Sequence, residues 1–166
     1  MNFTELYDRY FAKVYNYVRY HVRLPDETDD VTGKVFEAAL NRFETYDAAR
    51  APVQAWLFTI ARNAVIDWAR ARNKRNEVSL DDAAEQPGTE PRAEAALEKK
   101  EEAGMLLEAV AGLDERSRDI IALKFSSGMT NRDIALMTGL GESNVGIVIY
   151  RAVKKMQAVL EAKRKL

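Results

Sequence analysis

Four prolines, Pro25, Pro52, Pro87 and Pro91, are the only strong backbone breakers of their kind in this chain. Each fixes φ and removes an amide donor, so helices run between prolines rather than through them. Inside the long proline-free blocks, apolar residues recur at spacings of three and four. Alternating apolar and polar residues, the mark of a half-buried strand, are scarce. The reading is an all-α chain.

The first block, Phe3–Val22, carries Phe3, Leu6, Tyr7, Tyr10, Phe11, Val14 and Val18 on one stripe. Asn2 and Glu5 have the spacing of a capping box. His21 reads as a surface or helix-end residue. The second block, Asp26–Phe43, turns Val31, Val35, Phe36, Ala39, Leu40 and Phe43 inward. Asp29, Asp30, Lys34, Glu37 and Asn41 are expected away from that face. Acidic residues in a first turn also suit the helix dipole without any partner. After a loop, Pro52 is placed to open a third helix that runs to about Arg75. Trp56, Leu57, Ile60, Ala61, Ala64, Val65 and Trp68 form its apolar stripe, with Arg62, Arg70, Arg72, Lys74 and Arg75 on the remaining surface and at its end.

Composition then shifts. Residues 76–96, NEVSLDDAAEQPGTEPRAEAA, are acidic and almost devoid of large apolar groups, which reads as a flexible linker. The chain is therefore expected to hold two small helical domains, residues 1–75 and 97–166, joined by that linker. In the second, Leu97, Met105, Leu106 and Val110 mark one helix. Asp114 caps the next, with Ile120, Ile121 and Phe125 expected inside, and Gly128 ends it.

Thr130–Met156, TNRDIALMTGLGESNVGIVIYRAVKKM, follows. Thr130 caps a short helix, Gly139 supplies a left-handed turn, and Val145, Val148, Ile149, Ala152 and Met156 stripe a longer helix. This is a helix-turn-helix pattern, in which the second helix can enter a major groove. An ordinary helical hairpin fits the same spacing.

Bulk numbers bound the function. The formal net charge is −1, so any basic surface is local. There is no cysteine and one histidine, which leaves nothing for a thiol nucleophile, a metal cluster or a catalytic triad. No enzyme activity and no cofactor are expected. No apolar run reaches the roughly 20 residues of a membrane span, and the N-terminus lacks signal-peptide order. The default is a cytoplasmic protein without membrane insertion.

Three stretches together carry a family resemblance: DDVTGKVFEAAL (Asp29–Leu40), AWLFTIARNAVIDWAR (Ala55–Arg70) and LDERSRDIIALKFSSGMTNRDIALMTGLGESNVGIVIYRAVKKM (Leu113–Met156). In this order, with an acidic linker between, the chain resembles a bacterial RNA polymerase sigma factor of the extracytoplasmic-function (ECF) group of the sigma-70 family. The resemblance implies a region 2-like domain over 1–75, a region 4-like domain over 97–166, and no chemistry beyond binding. The implied partners are core RNA polymerase (β′ and β subunits), promoter DNA and an anti-sigma factor.

The implied roles fall on matching positions. Asp29, Asp30, Thr32, Lys34 and Glu37 would face the polymerase β′ subunit. Tyr46, Arg50, Trp56, Arg62, Asn63, Arg70 and Arg72 would open and hold the −10 element, where an unstacked base needs a pocket and the displaced strand needs cations. Glu142, Ser143, Asn144, Ile147, Arg151, Lys154 and Lys155 would meet the −35 element, the first of these reading bases and the lysines holding phosphates. One departure stands out. Gly146 and Ile147 occupy positions where many relatives carry polar or basic residues; Gly146 costs about 1 kcal/mol of helix stability relative to alanine, and Ile147 suits a thymine methyl or a protein surface. Two rival readings use fewer of these residues. A stand-alone dimeric helix-turn-helix regulator leaves the Ala55–Arg70 stretch without a purpose. A protein-interaction module with a decayed DNA surface would be favoured by Ile147.

Overall fold

Asn2 starts the first helix as its sequence suggests. Its side chain accepts from the Glu5 amide at 2.8 Å, and the Glu5 carboxylate accepts from the Asn2 amide at 3.0 Å. The computed structural model describes the backbone of residues 1–78 and 94–166 and the side chains of residues 1–76 and 98–166. Among these residues there are seven α-helices and no strand. They are α1 (Phe3–Val22), α2 (Pro25–Arg42), α3 (Val53–Val78), α4 (Glu94–Ala111), α5 (Glu115–Ser127), α6 (Asn131–Thr138) and α7 (Glu142–Arg164), with a 3₁₀ turn at Phe43–Thr45.

The expected linker of residues 76–96 is helical at both edges, because α3 continues to Val78 and α4 begins at Glu94. Residues 79–93, and with them the expectation of flexibility, lie outside the described residues, as does the Leu97 side chain.

Helices α1, α2 and α3 enclose Leu6, Tyr10, Val14, Tyr17, Val18, Val31, Val35, Leu57, Phe58, Ala61 and Val65. That core does not stop at the third helix. Ile120, Ala122 and Leu123 of α5, then Met129, Ile134, Ala135 and Val145, continue it without a break. Helix α1 thus packs on α2 and α3 along one side and on α5 along another. A second apolar cluster joins Ala109, Val110, Leu113, Ile121, Ala152 and Met156 of α4, α5 and α7. The two helical halves therefore share a buried interface, rather than meeting only through the covalent chain.

The turns follow local chemistry. Asp114 caps α5 by accepting from Ser117, and Thr130 caps α6 by accepting from Asp133. Gly128 and Gly139 end their helices at φ 72° and 74°, where a Cβ would be strained.

Several expectations need correction. Thr32 is buried at 2 % exposure, because the inward arc of α2 takes in Thr28, Val31, Thr32, Val35 and Phe36. Leu40, at the edge of that arc, is 54 % exposed instead. Tyr7 and Phe11 are also exposed, and they stack around Phe36 at the rim of the core. Phe125 is exposed too and borders an apolar cleft between α4, α5 and α7. His21 is a helix-end residue, in the last turn of α1, but not a surface one: its side chain is only 9 % exposed, because α5 covers the end of α1.

Candidate nucleic-acid interface

The segment before α3 is tied down by its own side chains. The Tyr46 hydroxyl donates to the Ala51 carbonyl at 2.8 Å, and the Ala49 amide donates to the Asp47 carboxylate at 2.9 Å. The Tyr46 ring lies 5.0 Å from the half-buried Trp56 ring, which in turn adjoins Phe43. Trp56 thus serves as a wall between the loop and the core. Arg50 is exposed and pairs only with Asp47, at 3.7 Å. The result is an aromatic shelf with an exposed, loosely paired cation at its rim, a surface on which an unstacked base can lie.

Along α3, Thr59, Asn63, Asp67, Arg70 and Lys74 are exposed, at spacings that put them on one face. Two expected contacts are not on it. Arg62 is only partly exposed and points toward the C-terminal half. Its Nε donates to Asp119 Oδ2 at 3.0 Å, its Nη2 forms an ion pair with the same oxygen at 2.9 Å, and its Nη1 donates to the Met137 carbonyl at 3.1 Å. Arg72 turns back over the Trp68 ring, 5.3 Å from its centroid, and pairs with Glu27 at 3.6 Å. Of the expected −10 cations, Arg50 and Arg70 are therefore the ones held most freely in solvent.

The helix-turn-helix presents its second helix outward. Glu142, Ser143, Asn144, Ile147, Arg151, Lys154 and Lys155 are all exposed, while Val145, Ala152 and Met156 face in. Lys154 lies over the Tyr150 ring at 5.4 Å, and Lys155 donates to the Gly112 carbonyl at 3.0 Å. Gly146 has room for a Cβ, whose nearest neighbour would be the Asn131 side chain at 3.6 Å. Ile147 and Tyr150 add apolar surface to α7, and Leu136 is exposed on α6. On α2, Asp29, Asp30, Lys34 and Glu37 project outward, and Thr32 does not.

The polar contacts between the halves had no signal in sequence. Asp119 accepts from the Tyr17 hydroxyl at 2.7 Å, across 102 residues of chain. His21 Nε2 lies 3.7 Å from the same carboxylate, and Gln54 donates to the Ser127 carbonyl at 2.7 Å. Burial first, and then Asp119, push the Tyr17 hydroxyl pKa well above its ordinary value. Burial likewise lowers the His21 pKa, outweighing the carbonyl of Tyr17 and the charge of Asp119. Spacing rules look three or four residues along a helix, so they are blind to such pairs.

Among the described residues, no group of histidine and acidic side chains is arranged to hold a metal, and no helix is long and apolar enough to cross a membrane.

Comparison with known proteins agrees with this arrangement. Residues 6–75 match the model of Sigma-70 region 2, and residues 103–156 match that of Sigma-70 region 4. The chain is 30 % identical to the ECF RNA polymerase sigma factor BldN of Streptomyces coelicolor over 95 % of its own length, spanning 60 % of that relative. It is also 30 % identical to the ECF RNA polymerase sigma factor RpoE of Cereibacter sphaeroides, covering 93 % of this chain and 84 % of that one. Its fold resembles that of the Bartonella quintana sigma factor RpoE, solved in complex with the anti-sigma factor NepR, with a TM-score of 0.78, 20 % identity and 96 % of each chain covered. Two helical halves in the order region 2 then region 4, with the second helix of the turn facing outward, and relatives of this similarity place the chain in the extracytoplasmic-function group of sigma-70 family RNA polymerase sigma factors.

Proposed function

We propose that this sigma factor, which directs RNA polymerase to promoters, divides that work among three surfaces. Asp29, Asp30, Lys34 and Glu37 on α2 are exposed and charged, suited to docking on the polymerase β′ subunit by matched charge. The buried Thr32 is left out of that surface. Tyr46, Arg50 and Trp56, with Asn63 and Arg70 along α3, take the −10 strand; Arg72 joins them on release from Glu27, and Arg62 on release from Asp119. Glu142, Ser143, Asn144 and Arg151 read the −35 duplex, Ile147 meets a thymine methyl, and Lys154 and Lys155 hold phosphates.

The observation that carries this reading is the outward face of α7. Seven candidate contacts lie in solvent on one helix, held by a capped turn at Thr130 and Gly139. In this reading the chain makes and breaks no bonds, acts in the cytoplasm where core polymerase works, and is held in check by an anti-sigma factor. A stand-alone dimeric regulator is not favoured, since it gives the region 2 half no task.

Transcription with purified core enzyme on genomic templates tests the proposal. Addition of the protein is expected to create new start sites that share upstream sequence. If no new start site appears on any template, the reading fails.

A further inference from the structure

Asp119 is the single carboxylate on α5 around which three side chains of the other half gather. Tyr17 and His21 come from α1 and Arg62 from α3. The Asp119 side chain is 17 % exposed and that of Arg62 27 %, so water competes poorly for either. Arg62 turns its Nε–Nη2 edge, the one that best fits a carboxylate or a phosphate, to the single Asp119 oxygen Oδ2, while Oδ1 faces Tyr17 and His21. Its Nη1 is committed to Met137 at the end of α6. The Nε–Nη2 edge is therefore occupied while the halves are closed, and a nucleic-acid phosphate takes that edge only by displacing Asp119.

We propose that Asp119 is the catch of an interdomain latch, and that closure of the two halves and nucleic-acid binding by Arg62 exclude one another. The inference rests on the assignment of α3 as a nucleic-acid surface. A phosphate anion and Asp119 compete for the same guanidinium edge, so strand binding favours opening and opening favours strand binding by the same factor. Apolar contacts along α1 and α5 supply adhesion between the halves, and this cluster ties that adhesion to an arginine of the DNA surface.

The absence of cysteine makes the test direct. Asn41→Cys on α2 and Glu161→Cys on α7, both exposed, accept a spin-label pair that reports the distance between halves in the full chain. The otherwise unchanged protein is expected to give one narrow distribution, and Asp119→Ala a longer and broader one. Tyr17→Phe, which keeps the ring and loses one hydrogen bond, should shift part of the population. Affinity for a random-sequence single-stranded DNA oligonucleotide should rise roughly tenfold in Asp119→Ala, and that gain should vanish in the Asp119→Ala, Arg62→Ala double variant. Unchanged distances in Asp119→Ala with helical circular dichroism intact overturn the latch, as does an affinity gain that survives loss of Arg62. If Asp119→Ala does not fold, Tyr17→Phe and Asp119→Asn decide by the same distances. Capture of core polymerase by the unaltered sequence judges the sigma reading separately. Should capture fail while the labels still separate in Asp119→Ala, the latch stands and the polymerase assignment falls.

Discussion

Glu27, in the first turn of α2, accepts a hydrogen bond of 3.1 Å from the indole nitrogen of Trp68 on α3. Arg72, one turn further along α3, reaches the same carboxylate oxygen at 3.6 Å while covering the Trp68 ring. The three groups fasten the far end of α3 to the start of α2. Glu27→Ala is expected to lower stability by about 1 kcal/mol, the usual worth of one hydrogen bond with a partly exposed ion pair beside it. Glu27→Gln, which keeps an acceptor, should lose less. Urea unfolding of the two variants checks the order.

A second prediction concerns the joint between α1 and α2. Arg23 is the one non-glycine residue with positive φ among the described residues, at φ 70° and ψ −40°, and the Leu24 amide donates to the Val22 carbonyl at 2.9 Å across it. That is a γ-turn of the strained hand. Arg23→Gly relieves the clash of the Cβ and should raise stability by about 1 kcal/mol, less the entropy that glycine adds to the unfolded chain. Thermal unfolding should show a higher midpoint with no change in helical signal.

His21 makes stability depend on pH in a defined direction. Its Nδ1 lies 2.9 Å from the Tyr17 carbonyl, the geometry of a neutral ring donating there, and Asp119, Arg118 and Arg62 face it from α5 and α3. Burial holds its folded pKa below the ordinary 6.5, which the unfolded chain retains. Below about pH 6.5 the unfolded chain takes up the proton first, so stability falls with pH until the folded pKa is passed. The slope cannot exceed about 1.4 kcal/mol per pH unit from this one group. His21→Gln should flatten that part of the profile, as read from urea midpoints between about pH 7 and about pH 5.

Variants on α7 should separate base reading from phosphate holding. Asn144→Ala and Arg151→Ala are expected to cut output from a −35-dependent promoter by roughly 1–3 kcal/mol of binding each, about five- to 160-fold. Asn144→Ala should also relax the preferred base. Lys154→Ala should weaken all templates alike and lower the salt dependence of binding. Run-off transcription across a promoter library measures both.

Much of this was legible in the residues, and the pattern of what was not is physical. Asn2, Asp114, Thr130 and Gly139 act within three or four positions of themselves, so their caps and turns follow from spacing alone. The outward face of α7 follows from the stripe at Val145, Ala152 and Met156. Thr32 was misplaced because a small polar residue next to Val31 can sit on either side of an arc boundary, and neighbouring helices choose the side. The burial of His21 and the inward turn of Arg62 have no signal in spacing, because their partner, Asp119, stands on another half of the chain. Phe125 was placed inside by its chemistry, yet the cleft it borders leaves it uncovered.

Helix α3 has 26 residues, so it spans about 39 Å at the usual rise. Its first turn adjoins the Tyr46 shelf and its last residue, Val78, is where the connection to Glu94 departs. Sixteen peptide steps separate those two residues, and a chain cannot stretch beyond about 3.3–3.6 Å per step. However the halves part, the end of α3 and the start of α4 stay within roughly 55 Å of one another. That covalent reach works as a ruler: it caps how far apart along a promoter the strand-holding loop and the groove-reading helix can work at once, whatever sequence each prefers.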